Sequence, residues 1–443
     1  MIKMQSFDLK VQKIRNLRGK VKAPPSKSYT LRAIIVGCIN GRVRISNPLL
    51  SDDTRNAIEL WKKLGATIQE HGRSLQVTGF GNRLSLNPKN GNKSKFSEIY
   101  VGESGTLLRF ILPILALLKG KFRVIGKDTL CDRPNAPIVQ ALKGWGVNIE
   151  GYGRRHELPI KIISNGTIKG GKTTVNGSMS SQTISSLLIA APFTKNGTEI
   201  KVENLKLVSR PYIDITHDVL KWAKVNIKRN GYKSFTVKNG QKIKPGKVFH
   251  VHGDYSSAAF LMAAACLVKS DVTITDLVND KQGDKEIIKI LRKMGARILN
   301  RNKSVRIRGP FNLRGIEIDC RDIPDLVPIL AVLGCFAKGK TRLYNIEHVA
   351  HKESDRISHP AKELCELGAS ISRSNKELFI KHSKLRSGKV VSSHGDHRVV
   401  MALAVAGLAI GNLTIKNARC ISKSYPDFIS DLKSLGAKLG KAR

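Results

Sequence analysis

Residues 102–118 read GESGTLLRFILPILALL. A polar, glycine-bearing turn leads into a segment that is apolar on nearly every side, and a helix of that kind has to be buried all round. The pairing recurs five more times: PPSKSYTLRAIIVGCI (24–39), GSMSSQTISSLLIAAPF (177–193), HGDYSSAAFLMAAACLV (252–268), RDIPDLVPILAVLGCFA (321–337) and HGDHRVVMALAVAGLAI (394–410). Strand-like stretches such as RVRISN, VTITDL, TRLYNI or LTIKNA come after these helices, rich in the β-branched residues that suit a pleated, half-buried surface.

A second element recurs downstream of each copy. AIELWKKLGATI (57–68), IVQALKGWGVNI (138–149), THDVLKWAKVNI (216–227), IIKILRKMGARI (287–298), AKELCELGASI (361–371) and ISDLKSLGAKL (429–439) read as amphipathic helices closed by a left-handed glycine cap and followed by a strand. The third copy carries Lys224 where the others have glycine. The unit is strand, buried helix, strand, amphipathic helix, strand, strand, used six times. An α/β protein of two similar domains, each of three βαβαββ units, is expected.

The Gly/Pro/Lys-rich segment FTVKNGQKIKPGK (235–247) suits a linker near residue 241. That places the first domain at 24–241 and the second at 1–23 plus 242–443. The sixth unit ends at GAKLGKAR without its last strand, and the N-terminal FDLKVQKI (7–14) is expected to supply it. A chain crossing twice between two such domains is expected to carry its active site in the cleft between them.

The 443 residues are 41% hydrophobic and 25% charged, with 77 Lys+Arg against 34 Asp+Glu and a net charge of +43. Such an excess suits anionic partners. The basic residues run the whole length without a block of five or more like charges, and aromatic stacking motifs are missing, which disfavours nucleic acid. Seven cysteines (Cys38, Cys131, Cys266, Cys320, Cys335, Cys365, Cys420) show neither CxxC nor a His/Cys cluster. They read as reduced core residues, with no metal site implied. The apolar runs fall short of the ~20 residues of a membrane span, and the N-terminus has no apolar signal region. A cytoplasmic protein without membrane or nucleic-acid partners is expected, and a monomer.

In each unit the polar turn stands at the N-terminus of the buried helix, where free N–H groups and the helix dipole favour anions. Chemistry-bearing residues collect at these mouths: Lys27, Ser28 and Arg32 at the first; Gly105, Thr106 and Arg109 at the second; Ser180, Ser181 and Gln182 at the third; Asp325 at the fifth; Asp396, His397 and Arg398 at the sixth. Loops add Arg133, Ser209, Tyr212, Lys352, Glu353, Arg356 and Lys423. Any one of these alone reads as a solvated charge, a surface pair or a plain N-cap. Their recurrence at equivalent places in the repeats points to a shared site.

The ordered set SKSYTLRA, SDDTR, GESGTLLR, DRP, GSMSSQ, SRPYIDIT, GDYSSAAF, IPD, HKESDR, GDHRVVMA and SKSYPDF resembles the 5-enolpyruvylshikimate-3-phosphate (EPSP) synthases, or 3-phosphoshikimate 1-carboxyvinyltransferases, over nearly the whole chain. The resemblance implies an inside-out α/β barrel of two domains and transfer of the enolpyruvyl group of phosphoenolpyruvate (PEP) to the 5-hydroxyl of shikimate 3-phosphate. This is a step towards chorismate and the aromatic amino acids, with neither metal nor organic cofactor.

It also implies roles. Lys27 is similar to the lysine that bridges both substrates, with Ser28 and Arg32 on the shikimate carboxylate. Ser180, Ser181 and Ser209 resemble a phosphate cradle with Tyr212 nearby. Gly105, Arg133, Gln182, Arg356, Arg398 and Lys423 resemble the PEP site, and Gln182 is expected at shikimate 3-phosphate as well. Asp325 is similar to the carboxylate that faces the 5-hydroxyl, with Lys352 as its neighbour. The reaction needs a proton delivered to the PEP methylene carbon and another removed, hence an acid and a base. Glu353, assisted by Lys27, is the candidate acid and Asp325 the candidate base.

Four positions depart from the commonest pattern: Ala350 for Arg, His348 for Asn, Glu103 for Asn and Thr129 for Arg. They bear on PEP affinity and on the response to the PEP mimic glyphosate. At Glu103 a neighbour such as Arg109 is expected to balance the added charge. The nearest rival is the sister transferase acting on UDP-N-acetylglucosamine. It differs by Lys-Asn at the first turn and by a loop cysteine set further from its Arg-Pro than Cys131 is from Arg133. A basic nucleic-acid-binding protein is the rival from another class.

Overall fold

The computed structural model describes residues 6–39, 41–80, 96–203, 206–442; Met1–Gln5 of the N-terminal stretch read above lie outside them. Twelve α-helices and six four-stranded sheets are present among these residues. The chain divides into two compact units, Lys27–Val251 and Met1–Ser26 with His252–Arg443, each with its own apolar core.

The six repeats are seen as six sheets of one design. In the second repeat, strand Ser97–Tyr100 lies parallel to Lys119–Ile125, which pairs antiparallel with Glu157–Asn165, itself antiparallel to Asn148–Tyr152. The parallel pair is bridged by the buried helix Gly105–Ala116, and Ala136–Gly144 is the amphipathic one. Parallel strands need such a crossover, whereas the last two strands close as a hairpin.

The buried helices form the centre of each unit. Every residue from Tyr29 to Ile39 is buried in the helix Lys27–Ile39, and from Tyr255 to Cys266 in Tyr255–Leu267. In the second unit Tyr255–Leu267, Val327–Phe336 and His397–Ile410 all pack on one another. At about 25 cal/mol per Å2, burying apolar side chains on every face is the main stabilisation available to a chain so poor in aromatics.

The amphipathic helices end as the repeat requires. Gly65, Gly146, Gly295, Gly368 and Gly436 have φ between +80° and +107°, which only glycine adopts without strain. Lys224 takes the same place with φ 63°, and its N–H donates to the Lys221 carbonyl as the Gly65 N–H does to Lys62. The degenerate third copy keeps the cap geometry at a conformational cost of roughly 1 kcal/mol.

The crossings are where the sequence reading needs correction. The boundaries fall at 26/27 and 251/252, not at 23/24 and 241/242. Strand Leu17–Lys22, which precedes the first buried helix, pairs in parallel with Ser270–Thr275 of the fourth repeat. Strand Val248–His250, which precedes the fourth buried helix, pairs in parallel with Arg44–Ser46 of the first. Each crossing hands its leading strand to the other repeat, so the chain leaves a unit only after completing that sheet. Strand Asp8–Val11 stands between Leu413–Lys416 and Leu439–Ala442, antiparallel to both, and fills the place of the last strand in the sixth sheet.

All seven cysteines are free, but not all are core residues: Cys365 is exposed and Cys131 only partly buried. Cys365 lies in the amphipathic helix Ser358–Glu366, on the face its periodicity turns to water. No helix is long and apolar enough to cross a membrane, among the described residues.

Candidate active site

In the unit Lys27–Val251 the helix mouths are lined by cations and hydroxyls. Lys27 Nζ lies 2.8 Å from Asp53 Oδ2. Asp53 belongs to the first turn of the helix Asp52–Lys63, where a carboxylate is favoured by the helix dipole. Arg32, one turn into its helix, is buried. It donates from Nε to Thr216 Oγ1 (2.7 Å), from Nη1 to the Ser28 carbonyl (2.9 Å) and from Nη2 to the Tyr212 carbonyl (3.1 Å). Its guanidinium also stacks over Phe110, 4.9 Å from the ring centroid. Burial lowers its pKa to about 10, opposed by nearby Tyr212 and Tyr29.

The second and third mouths are tied to each other. Arg109 donates to Gln182 Oε1 (2.7 Å) and to the Pro134 carbonyl (3.0 Å), while Gln182 Nε2 donates to Thr106 Oγ1 (2.9 Å). A Cβ at Gly105 would stand 2.7 Å from Arg133 Nη1 and 2.9 Å from Arg109 Nη1. Two guanidiniums therefore close over this backbone because the side chain is absent. Ser180 Oγ accepts from the Gln182 N–H at 3.1 Å, and Ser181 is buried beside it. Ser209 adopts φ 56°, and its buried hydroxyl has no hydrogen-bond partner among the described residues. A left-handed non-glycine residue with an orphaned buried donor is the kind of feature that calls for a functional explanation.

The other unit has an acid at each of its three mouths. Asp254 Oδ2 caps Tyr255–Leu267 by accepting from Ser257 N–H and Oγ, and Asp396 Oδ1 caps His397–Ile410 by accepting from Arg398 N–H. Asp325 stands at the fifth mouth, in the turn Pro324–Leu326. Two buried arginines join these acids. Arg356 donates to Asp325 (2.6 Å), Glu353 (2.7 Å) and Asp396 (2.8 Å). Arg398 reaches Asp325 at 3.1 Å and Ser257 Oγ at 3.3 Å.

Burial raises the Asp325 pKa, but Arg398, Arg356 and Lys352 together outweigh it and hold the carboxyl well below the usual carboxylate range. Arg356 shows the converse: burial opposes its charge, and Asp396, Glu353 and Asp325 raise its pKa well above normal. Lys423 Nζ donates to the Gly395 carbonyl at 2.9 Å, just ahead of the Asp396 cap.

The residues singled out from sequence divide between the units. Lys27, Ser28, Arg32, Gly105, Arg133, Ser180, Ser181, Gln182, Ser209 and Tyr212 lie in Lys27–Val251, and Asp325, Lys352, Glu353, Arg356, Arg398 and Lys423 in the other. Within the second unit Asp325, Glu353, Arg356 and Arg398 form one ion-paired cluster. Asp53, Thr216, Asp254 and Asp284 were not singled out. Asp53 was legible within SDDTR, whereas nothing local separates Asp284 from a surface acid.

The four departures are all placed. Glu103 has Lys127 as a counter-charge at 3.2 Å, one the sequence reading did not name. Thr129 is exposed and Ala350 packs at the edge of the core. His348 is buried, with neither ring nitrogen hydrogen-bonded among the described residues. Burial, then the charges of Lys352 and Arg321, push its pKa down to about 3.

Comparison with known proteins identifies the family. The family model described as EPSP synthase (3-phosphoshikimate 1-carboxyvinyltransferase) matches residues 11–432. The 3-phosphoshikimate 1-carboxyvinyltransferase of Methanocaldococcus jannaschii is 41% identical over 435 residues, covering 97% of this chain and 98% of that protein. Its counterpart in Methanocella arvoryzae is 40% identical over 424 residues, covering 95% and 97%. An EPSP synthase structure from Acinetobacter baumannii shares the fold with a TM-score of 0.81 at 24% identity, covering 99% of this chain and 100% of that one. The enolpyruvyl transferase NikO from Streptomyces tendae shares it at a TM-score of 0.75 and 18% identity, covering 99% and 100%. With a family match across most of its length and relatives near 40% identity, the chain belongs to the EPSP synthase family.

Proposed function

We infer that the chain transfers the enolpyruvyl group of PEP to the 5-hydroxyl of shikimate 3-phosphate, releasing phosphate, in the route to chorismate and the aromatic amino acids. Family membership supports the reaction, and the observation that carries the chemistry is Asp325, held ionised between Arg356 and Arg398. A carboxylate so held is an acceptor aimed at a hydroxyl proton.

The roles follow from residue chemistry. Lys27 touches both substrates. Ser28 and Arg32 bind the shikimate carboxylate; Ser180, Ser181, Gln182, Ser209 and Tyr212 take up the remainder of shikimate 3-phosphate, with the orphaned Ser209 hydroxyl offered to its phosphate. Gly105, Arg133, Gln182, Arg356, Arg398 and Lys423 bind PEP, the arginines through forked, charge-assisted bonds. Asp325, with Lys352 beside it, takes the proton of the 5-hydroxyl as that oxygen attacks C2 of PEP. Glu353, assisted by Lys27, delivers a proton to the methylene carbon. In the second half a proton leaves the new methyl group, the double bond re-forms and the C–O bond to phosphate breaks.

Arg356 is gripped by three carboxylates, so an incoming substrate anion has to displace one. Asp325 and Glu353 both have an exposed edge, their side chains 22% and 19% accessible against 0% for Asp396; Asp325 is held by Arg398 as well, which leaves Glu353 as the partner to give way. A carboxylate paired with a guanidinium is a poor proton donor, and exchanging Arg356 for a substrate anion is what would let Glu353 act. A monomer working in the cytoplasm completes the reading.

The test is phosphate release from PEP with and without shikimate 3-phosphate. Release that depends on shikimate 3-phosphate is expected; release indifferent to it, or supported instead by UDP-N-acetylglucosamine, overturns the reading.

A further inference from the structure

Asp284 is a buried carboxyl that the mechanism above does not use. It lies in the turn Gly283–Glu286, after Gln282, whose side chain accepts from the Tyr255 N–H and donates to the Gly253 carbonyl. That turn packs against the mouth of the helix Tyr255–Leu267. Asp284 Oδ2 accepts a hydrogen bond from Ser256 Oγ, and Oδ1 is buried with no hydrogen-bond partner among the described residues. An ionised carboxylate with one oxygen unsatisfied away from water is costly, so such a group either holds a proton or faces a positive charge.

The charged groups around it come from every neighbouring element. The turns bearing Asp284 and Asp325 both pack on the helix Tyr255–Leu267, whose Ser256 binds Asp284 and whose Ser257 meets Arg398, the partner of Asp325; Asp254, the cap of that helix, adds a further charge. The Cys320 thiol also feels its charge. Burial and the negative charge of Asp325 push the Asp284 pKa up to about 7, against the Ser256 hydrogen bond and Arg398, which favour ionisation. Asp325 meets the opposite problem: two arginines and Lys352 hold it so low that, left alone, it would be a weak base for a hydroxyl proton.

We propose that Asp284 is a positioning residue that tunes the base, its buried carboxyl facing Asp325 beside Arg398 so that ionisation of Asp284 offsets the arginines and strengthens Asp325 as a proton acceptor. The proposal rests on the reading of Asp325 as the base. Paired carboxyls in unequal environments separate into one that is always charged and one that titrates near the working pH.

The test is the pH profile of kcat at saturating substrate, from about pH 5.5 to about pH 9, in wild type, Asp284→Asn and Ser256→Ala. Wild-type kcat is expected to rise through a step near pH 7. Asp284→Asn removes the step and lowers kcat roughly tenfold, with KM for both substrates within about twofold. Ser256→Ala keeps the carboxyl but removes the donor that favours its charge, and moves the step to higher pH. A wild-type step surviving in Asp284→Asn overturns the proposal.

Infrared spectra of the substrate-free protein give an activity-independent readout. A carboxylic-acid carbonyl band lost across neutral pH is expected in wild type and absent from Asp284→Asn; its persistence there overturns the proposal. Thermal stability separates tuning from a merely structural role. A carboxyl whose folded pKa exceeds its unfolded value weakens the fold above the latter, so Asp284→Asn is expected to melt no lower than wild type at about pH 8, and a lower melting point counts against tuning. Retained turnover in Asp325→Asn removes the base itself, a failure told apart because the infrared titration of Asp284 would stand.

Discussion

The Arg356 guanidinium donates to Asp325 across 2.6 Å while its own side chain is 1% accessible. Arg356 is thus the hub of an ionic cluster in which Asp396, 0% accessible, depends on it for charge compensation. Buried ion pairs contribute little against an apolar replacement of the whole set, but removing one partner leaves the others stranded.

Arg356→Met is therefore expected to lower folding stability by about 3–5 kcal/mol, besides abolishing turnover. Adding Asp396→Asn should recover part of that loss, since the two positions interact directly. Urea unfolding of the single and double variants checks both statements, and an unchanged midpoint in Arg356→Met would refute them.

Glu353→Gln keeps the shape and one acceptor of the side chain but cannot give or take the proton. A fall in kcat of at least about 100-fold is expected, with KM values changed only a few-fold. Steady-state kinetics decide the matter. A kcat within about tenfold of wild type, a barrier change of roughly 1.4 kcal/mol, removes Glu353 as the acid.

Lys27→Met should lose catalysis while the fold survives. The bond to Asp53 is lost, and leaving Asp53 without it costs about 1–3 kcal/mol. The expected drop in kcat is about 1000-fold, because a charge that meets developing charge on both substrates acts mostly in the transition state. Asp53→Asn leaves Lys27 in place but loosens it, and a smaller drop is expected. Circular dichroism melts alongside kcat separate the two effects.

His348 gives a pH signature of stability. Its folded pKa, about 3, lies below the ordinary histidine value of 6.5, so in acid the unfolded chain takes up a proton that the folded chain refuses. The neutral imidazole's contribution is complete above pH 6.5 and is lost as pH falls towards 3. Melting temperatures of wild type and His348→Asn should therefore converge or cross as the buffer is made more acidic. Parallel curves between neutral pH and about pH 4, well inside that window, would contradict the assignment.

Much of this protein was legible in its sequence because the deciding signals are local. A helix that is apolar all round can only be buried, a glycine after an amphipathic helix marks its left-handed cap, and six copies of the first with five of the second settle the repeat. The N-terminal strand Asp8–Val11 was foreseeable for the same reason: the sixth repeat lacked one. Residues such as Lys27, Arg398 and Asp325 were visible because the repeats place them at helix mouths.

Pairings between distant residues were not legible. Arg356 meets Asp325 and Asp396 from 31 and 40 positions away, and Asp284 meets Ser256 from 28. No periodicity records such distances, since they are set by how three helices close around a core. The exchange of leading strands at the two crossings is likewise invisible to a reading one repeat at a time. The sequence by itself determined which segments are buried and which residues stand at their mouths. Only the tertiary structure decided which charges share a desolvated space, and with that which carboxyl stays ionised and which holds its proton to higher pH, because those outcomes depend on the electrostatic field of the whole cluster rather than on any single side chain.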